Sequence, residues 1–517
     1  MATSIPAFVD LASDSSEPPA AAETHISVLL FAGERAYKLC KPVDFGFLDY
    51  STAEKRRAAC ERELEVNRRF APDVYLGVMV LADRHGHAHD HALVMRRMPS
   101  YRRLSHLLGT AEASALVRAV ARRVAVLHAD APRPAGAATA ASRATVRHNW
   151  QVNAHALGAI AGTGPLAPLN DHALAAAERY LDGRGPLFER RIAEGHAIDG
   201  HGDLLSDDIF CLDDGPRILD CLAFDDALRH GDALADIAFL AMDIERLASK
   251  ELAARLLDWY AEFSGEHHPA SLADHYIAYR AQVRAKVAAL KSTQGDVAAA
   301  GLAADHLRRC VEHLDRARVR LVLVGGAPGT GKSTVAGALA DQTGWTVLRT
   351  DELRKDLTGV GRAARAAAAP GQGIYTSAAT EATYRLMFDR AAQLLESGES
   401  VVLDASWADG PRRAHARALA ARLSADLVEL RCDVAPDVAD RRIAARARQG
   451  TDVSDADAAV AAHLRARFDA WPQAVTLDTA APLADSVAEA LRLADPAGSY
   501  SIGSAAQSPP DAVGRNG

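Results

Sequence analysis

At 517 residues the chain exceeds a single domain of about 100–200 residues, so two to four units are expected. Its 49% hydrophobic and 24% charged content is that of a globular protein. No apolar run reaches the roughly 18 residues a bilayer requires, and the net charge of −8 argues against a general nucleic-acid binder.

The six cysteines include no C-x-x-C pair, which excludes a disulfide scaffold. The N-terminus lacks the basic and apolar segments of a secretion signal, so a cytoplasmic protein is expected. The ends, 1–20 and 496–517, are rich in Ser and Pro and predict disordered tails. The runs HISVLLFAG and ERAYKLCKPV then alternate as strands do. Ser51 and Glu54 form a capping-box pattern for a charged helix ending near Phe70. VYLGVMVL and HALVMRRM predict two more strands, completing a small α+β lobe. Residues 100–290 read as mainly helical, with a strand pair at 207–224 turned by Asp213-Asp214-Gly215-Pro216. Helices interrupted near Ser292–Gly295 follow, and 291–318 is expected as a helical linker. Over 319–495 the strands RLVLVGG, WTVLRTD, SVVLDAS and DLVELRCD alternate with helices. That pattern predicts a parallel sheet covered on both faces.

The first chemical constellation is His201-Gly202-Asp203-Leu204-Leu205-Ser206-Asp207-Asp208, with Asp220 beyond the turn. A short hairpin would bring Asp203, Asp208 and Asp220 together, with Asp220 on its second strand. Clustered carboxylates repel unless a cation neutralises them, and Mg²⁺ with nucleotide phosphate is the natural partner. The pattern resembles the aminoglycoside phosphotransferase branch of the bilobal protein-kinase-like fold. That resemblance implies Asp203 as the base, Asp208 and Asp220 as metal ligands, and Lys38 as the lysine that meets the nucleotide phosphates. Glu63 is its implied partner, with Lys41 and Glu61 as alternatives, and Val94–Pro99 falls at the hinge between lobes. The sequence departs from the pattern at three points: Asp208 replaces an Asn, Leu205 replaces a polar residue, and only Gly33 precedes Lys38 where a glycine-rich loop is usual. Asp236 would buttress the catalytic loop or cap a helix. Tyr279, Arg280, Arg284 and Lys286 place basic groups on one helix, either at the substrate side or as surface charge.

The second constellation is Gly326-Ala327-Pro328-Gly329-Thr330-Gly331-Lys332-Ser333, followed by Thr334, between a strand and a helix. This is the G-x-x-x-x-G-K-[ST] phosphate loop. Its glycines let main-chain N–H groups face one anion, Lys332 reaches the β- and γ-phosphates, and Ser333 ligates Mg²⁺. Asp351, after the second strand, is the candidate base. Asp404, ending the third, is the candidate acid acting on Mg²⁺. Arg441, Arg442, Arg446 and Arg448 precede QGTDVSDAD, a candidate lid that would bring an arginine such as Arg442 or Arg446 onto the phosphates. Residues 319–495 resemble the small P-loop kinases, including gluconate kinase, shikimate kinase and the zeta-toxin group. TDELRKDL resembles the zeta-toxin segment, which implies Asp351 as base and Arg354 as a substrate-holding group.

Residues from about 24 to 495 resemble bacterial fusions of an aminoglycoside phosphotransferase-like domain (21–290) with a P-loop ATP-binding domain (319–495). The expected activity is transfer of the ATP γ-phosphoryl group to a hydroxyl of a small molecule, with ATP and Mg²⁺ at both sites. A nucleic-acid or membrane partner is not expected. The competing expectations are a first domain that senses nucleotide without catalysis, and a kinase acting on a macromolecule. The acceptor and the oligomeric state stay open.

Overall fold

A computed structural model describes residues 20–23, 26–44, 46, 48–83, 85, 87–162, 164–359, 361, 372–449 and 458–495. The expected tails, Ala20 apart, and nearly all of the expected lid lie outside these residues. The chain divides into two compact units. One runs through Leu181 and resumes over Gly185–Leu314; the other takes Asp182–Arg184 and the chain from Asp315.

The first unit begins with five antiparallel strands: β1 (Ala20–Glu23), β2 (Ser27–Ala32), β3 (Arg35–Cys40), β4 (Tyr75–Ala82) and β5 (Ala88–Arg96). Their order is β1-β2-β3-β5-β4. Helix α1 (Ala53–Asn67) packs against the sheet. Period-2 alternation decides which residues meet it. Ala36, Cys40, Leu93 and Met95 join Cys60 of α1 in one apolar cluster, while Tyr37, Ala92 and Val94 form another. Lys38 shares the parity of Ala36 and Cys40, which brings it to α1. The cap of α1 is Thr52, which accepts from the Lys55 N–H. The expected cap, Ser51, is taken instead by Asp49, to which its hydroxyl donates at 2.6 Å.

The rest of this unit is helical apart from two small sheets. One is the expected hairpin, Ile209–Leu212 with Gly215–Ile218, closed by Asp213-Asp214. The other pairs Ala197–Asp199 with His230–Asp232, strands too short to show a period. The segment expected as a linker is helical, over Ala270–Thr293 and Val297–Arg316, but through Leu314 it belongs to the first unit. Buried His313 fixes it there, contacting Asp274 at 2.6 Å and Glu245 at 2.9 Å, with Arg309 donating to Glu245 at 2.6 Å.

The second unit is a five-stranded parallel sheet. Its order is Thr346–Arg349, Val401–Asp404, Arg320–Gly325, Asp426–Asp433, Val475–Asp478. The last strand is an edge the sequence reading did not resolve. Val322, Val324 and Val402 pack with Val335 and Leu339 of helix Lys332–Thr343 and with Ala490 of helix Leu483–Ala494. The alternate residues Leu321 and Leu323 are equally buried, so both faces are covered, as in other parallel sheets.

Trp150, in helix Arg143–Ala161, is wholly buried and its indole N–H donates to His275 at 3.1 Å. Burial holds the His275 pKa down at about 3, so the ring is a neutral acceptor. Trp150→Ala should destabilise the first unit by about 3–5 kcal/mol. The check is the unfolding midpoint in urea, followed by circular dichroism.

Candidate active sites

In the first unit Lys38 donates to Glu63 at 2.7 Å and to Asp220 at 3.1 Å. Burial opposes the Lys38 charge, yet the Asp220 and Glu63 carboxylates hold its pKa well above the ordinary value. The Lys38 charge in turn depresses Asp220. The two alternatives are occupied elsewhere: Lys41 pairs with Glu23 and Glu61 with Arg57.

Asp220 does not sit on the second hairpin strand. It lies two residues past Ile218, with a positive φ of 62°. Tertiary contacts pull the chain off the ladder here. The Asp220 N–H donates to the Tyr75 hydroxyl at 2.9 Å, and Asn67 clamps Cys221 through both its N–H and its carbonyl. The sequence reading passed over both Tyr75 and Asn67. Asn67 at the end of α1, four residues after Glu63, was the available signal.

The loop at 200–203 is held from below by Asp236. Its carboxylate accepts the His201 N–H at 2.6 Å and the Gly202 N–H at 2.9 Å, and it contacts buried His128 at 3.3 Å. Asp236 therefore buttresses the loop, and Asp232 is the cap of helix Ala233–Leu247, which carries it. Burial disfavours the Asp236 charge, but His128 and the His201 N–H keep its pKa well below the usual carboxylate range. A Cβ at Gly200 would fall 2.7 Å from the Asp236 oxygen, so the glycine is a steric requirement. Arg280 donates to the Gly202 carbonyl at 3.2 Å from the other side.

Asp203, Asp208 and Asp220 repel one another. Burial and then the Arg284 charge act on Asp203, with a net upward shift. Burial and the Asp220 and Asp203 charges push Asp208 well above the ordinary range. The expected three-carboxylate convergence is looser than a metal cage. Among the described residues no group of three His, Cys, Asp or Glu side chains is placed to hold a metal ion. Mg²⁺ commonly takes only one or two carboxylates, completing its octahedron with phosphate and water. Asp208 and Asp220 fit that donor set, and the cation would relieve the repulsion that favours a protonated Asp208. Over β2 and β3 a two-residue turn, Gly33-Glu34, stands where a glycine-rich loop is usual.

In the second unit the phosphate loop is curled. The φ angles of Gly326, Gly329 and Gly331 are 140°, 83° and 85°. The Thr330 N–H and hydroxyl both turn back to the Ala327 carbonyl, at 3.3 and 2.8 Å. Ala327 and Pro328 form the shoulder of this turn, and the helix starts at Lys332, with Ser333 and Thr334 in its first turn. Asp404 ends the neighbouring strand and is 3% exposed. Its burial raises its pKa against the pull of Lys332 and Ser333 beside it. One of its oxygens is buried with no hydrogen-bond partner. An orphaned carboxylate oxygen next to a phosphate-loop serine is what a Mg²⁺ site, direct or through water, would use.

Asp351 lies in the first turn of helix Thr350–Thr358, not at the strand end, and pairs with Arg354 at 2.9 Å. The Arg354 guanidinium also stacks on Tyr375 at 4.8 Å. Arg442 donates to the Thr479 carbonyl at 2.7 Å and lies close to Gly331. Arg441 is a surface partner of Asp437, and the side chains of Arg446 and Arg448 lie outside the described residues. Two contributors were missed. Thr479 donates to the Thr330 carbonyl at 2.6 Å, and Arg349 approaches Asp404 at 3.6 Å and the Ser333 carbonyl at 3.4 Å. Thr479 follows a strand the periodicity did not show. Arg349 stood in WTVLRTD, two residues before Asp351.

A family model for the AAA domain matches residues 321–471. Over 475 residues, 91% of this chain and 94% of theirs, the chain is 42% identical to "Uncharacterized protein Rv2004c" of Mycobacterium tuberculosis. The same figures hold for "Uncharacterized protein Mb2027c" of Mycobacterium bovis. Among solved structures, a choline/ethanolamine kinase family protein from Mesorhizobium loti is 14% identical, covering 60% of this chain and 96% of its own, with a TM-score of 0.38. A sugar kinase from Janibacter is 19% identical, covering 35% and 99%, with a TM-score of 0.27.

A Cβ at Gly329 would fall 2.5 Å from the Ala439 carbonyl oxygen, whereas one at Gly331 meets nothing closer than 3.6 Å. Both glycines hold a positive φ, which costs a residue with a Cβ of order 1–3 kcal/mol. Gly329→Ala adds the clash with the carbonyl and should weaken nucleotide binding at this site about ten-fold or more, whereas Gly331→Ala, with the strain alone, should cost less. Titration with a fluorescent ATP analogue on each variant checks the order.

Proposed function

The chain belongs to the family of the mycobacterial proteins Rv2004c and Mb2027c, and we propose that it is an ATP-dependent phosphotransferase with two nucleotide sites. The observation that carries this reading is the curled 326–333 loop, with Lys332 and Ser333 beside the orphaned Asp404 oxygen. Such a loop offers main-chain N–H groups, a helix N-terminus and an ammonium to a polyphosphate.

In the second unit Lys332 would neutralise charge on the transferring phosphoryl, and Ser333 and Asp404 would hold Mg²⁺. Asp351 would orient an acceptor hydroxyl, positioned by Arg354. Arg442 would join the phosphates from the helix that precedes the lid; the same role for Arg446 is part of this proposal. Phosphoryl transfer asks the protein mainly for positioning and charge stabilisation, and these residues supply both.

In the first unit Lys38, held by Glu63, would meet the nucleotide phosphates. Asp208 and Asp220 would hold Mg²⁺, which neutralises charge on the phosphates when bound. Asp203 would take the acceptor proton. The paired Lys38 and the loop braced by Asp236 support catalysis here over nucleotide sensing, because a sensor has no need of a positioned base. The acceptor at both sites is read as a small molecule.

The test offers labelled ATP and a metabolite extract to the wild type, Lys332→Ala and Asp203→Asn. The expected outcome is two sets of phosphorylated products, one lost with each variant. Loss of a positioned base should cost about 10²–10⁴-fold in turnover at the first site. If Asp203→Asn keeps every product and its nucleotide affinity, the first unit is a sensor. If Lys332→Ala binds and turns over ATP as the wild type does, the P-loop reading fails.

A further inference from the structure

The phosphotransfer reading of the first unit leaves its acceptor open, and the inference here rests on that reading. We propose that this acceptor is an anion, a small alcohol already bearing a phosphate or carboxylate, gripped by Arg284 with Arg280 beside it.

Arg280 and Arg284 are four residues apart on helix Ala270–Thr293, so they share a face. Arg280 spends its hydrogen bonds on neutral groups, the Gly202 carbonyl at 3.2 Å and the Ala235 carbonyl at 3.3 Å. Its guanidinium lies 4.8 Å from the Phe239 ring centroid. Its charge is therefore not cancelled by a carboxylate. Its anchor at Gly202 is the peptide before Asp203, which brings the next turn of the helix, and Arg284, to that side of the base.

Arg284 is half-buried and, among the described residues, makes no ion pair with a carboxylate. Its neighbours behave differently: Arg246 is paired with Asp243 at 2.7 Å and Arg309 with Glu245 at 2.6 Å. Burial, then the charges of Arg284, Arg246 and Arg309, hold the pKa of buried His306 at about 4, so that ring adds no charge.

The sidedness is informative. Lys38 is held by Glu63 and Asp220, whereas Arg280 is anchored on the peptide before Asp203 and Arg284, one turn on, exerts the largest charge effect on Asp203. The two arginines thus stand beside the base, where an acceptor hydroxyl would lie. A half-buried guanidinium with no carboxylate at ion-pair distance has donors to offer, and an incoming phosphate or carboxylate would take them in charge-assisted hydrogen bonds. During transfer the acceptor oxygen bonds to the γ-phosphorus of ATP as the bond to ADP breaks. The acceptor proton passes to Asp203 and then to solvent.

The test uses the full chain carrying Lys332→Ala, saturated with Mg²⁺ and a non-hydrolysable ATP analogue. Ribose 5-phosphate and gluconate are titrated against ribose and glucose by calorimetry. At least one anion should bind about ten-fold or more tightly than its neutral counterpart, the worth of one charge-assisted hydrogen bond. Arg284→Ala should erase that preference without changing analogue affinity, and Arg284→Lys should keep part of it. The proposal is overturned if no anion is preferred or if the preference survives Arg284→Ala. Failure of the phosphotransfer reading looks different: the analogue would not bind the Lys332→Ala protein in a manner sensitive to Lys38→Ala. The anion preference would then be scored without it.

Discussion

The first site depends on one buried carboxylate. Asp236 accepts two successive main-chain N–H groups, those of His201 and Gly202, and so fixes the peptide that carries Asp203. Hydrogen bonds to a charged group are worth about 1.5–3 kcal/mol each, enough to hold a loop whose Gly202 has a φ of 85°. Around that support the ordering is successive. Asn67 and Tyr75 fix the chain at Asp220 and Cys221, and Asp220 and Glu63 hold Lys38. Asn67, Tyr75 and Asp236 orient these groups without a proposed chemical role of their own.

The second unit solves a similar problem with main chain. Three glycines with positive φ wrap the loop, and Thr479 ties it down through the Thr330 carbonyl. The anion receptor is then the N-terminus of a helix, which brings its own field. The side chains of Lys332 and Ser333 stand beside Asp404 there. On the proposed reading the two units would meet triphosphate with different chemistry: one with an ammonium held between carboxylates, the other with amides and an ammonium.

Much of this could be read from the chain because the signals are local. The phosphate loop is eight consecutive residues between a strand and a helix, and its geometry follows from its glycines. Lys38 and Glu63 could be paired because the resemblance to the aminoglycoside phosphotransferase branch implied it, and a hydrogen bond of 2.7 Å joins them. What escaped was non-local. Thr479 is 149 residues from Thr330, and Tyr75 is 145 from Asp220. Ala197–Asp199 and His230–Asp232 are strands of three residues, below the length at which a period exists. The 291–318 helices looked like a connector, because only the tertiary structure shows His313 locked to Asp274 and Glu245.

The sequence by itself determined most element types, the two-unit plan and the curl of the phosphate loop, because periodicity, glycine placement and motif spacing act within a few residues. The tertiary structure alone decided which carboxylates carry charge, which arginines lack a counter-ion and where Asp220 leaves its strand. Those are set by burial and by partners more than a hundred residues away, and no local pattern encodes them.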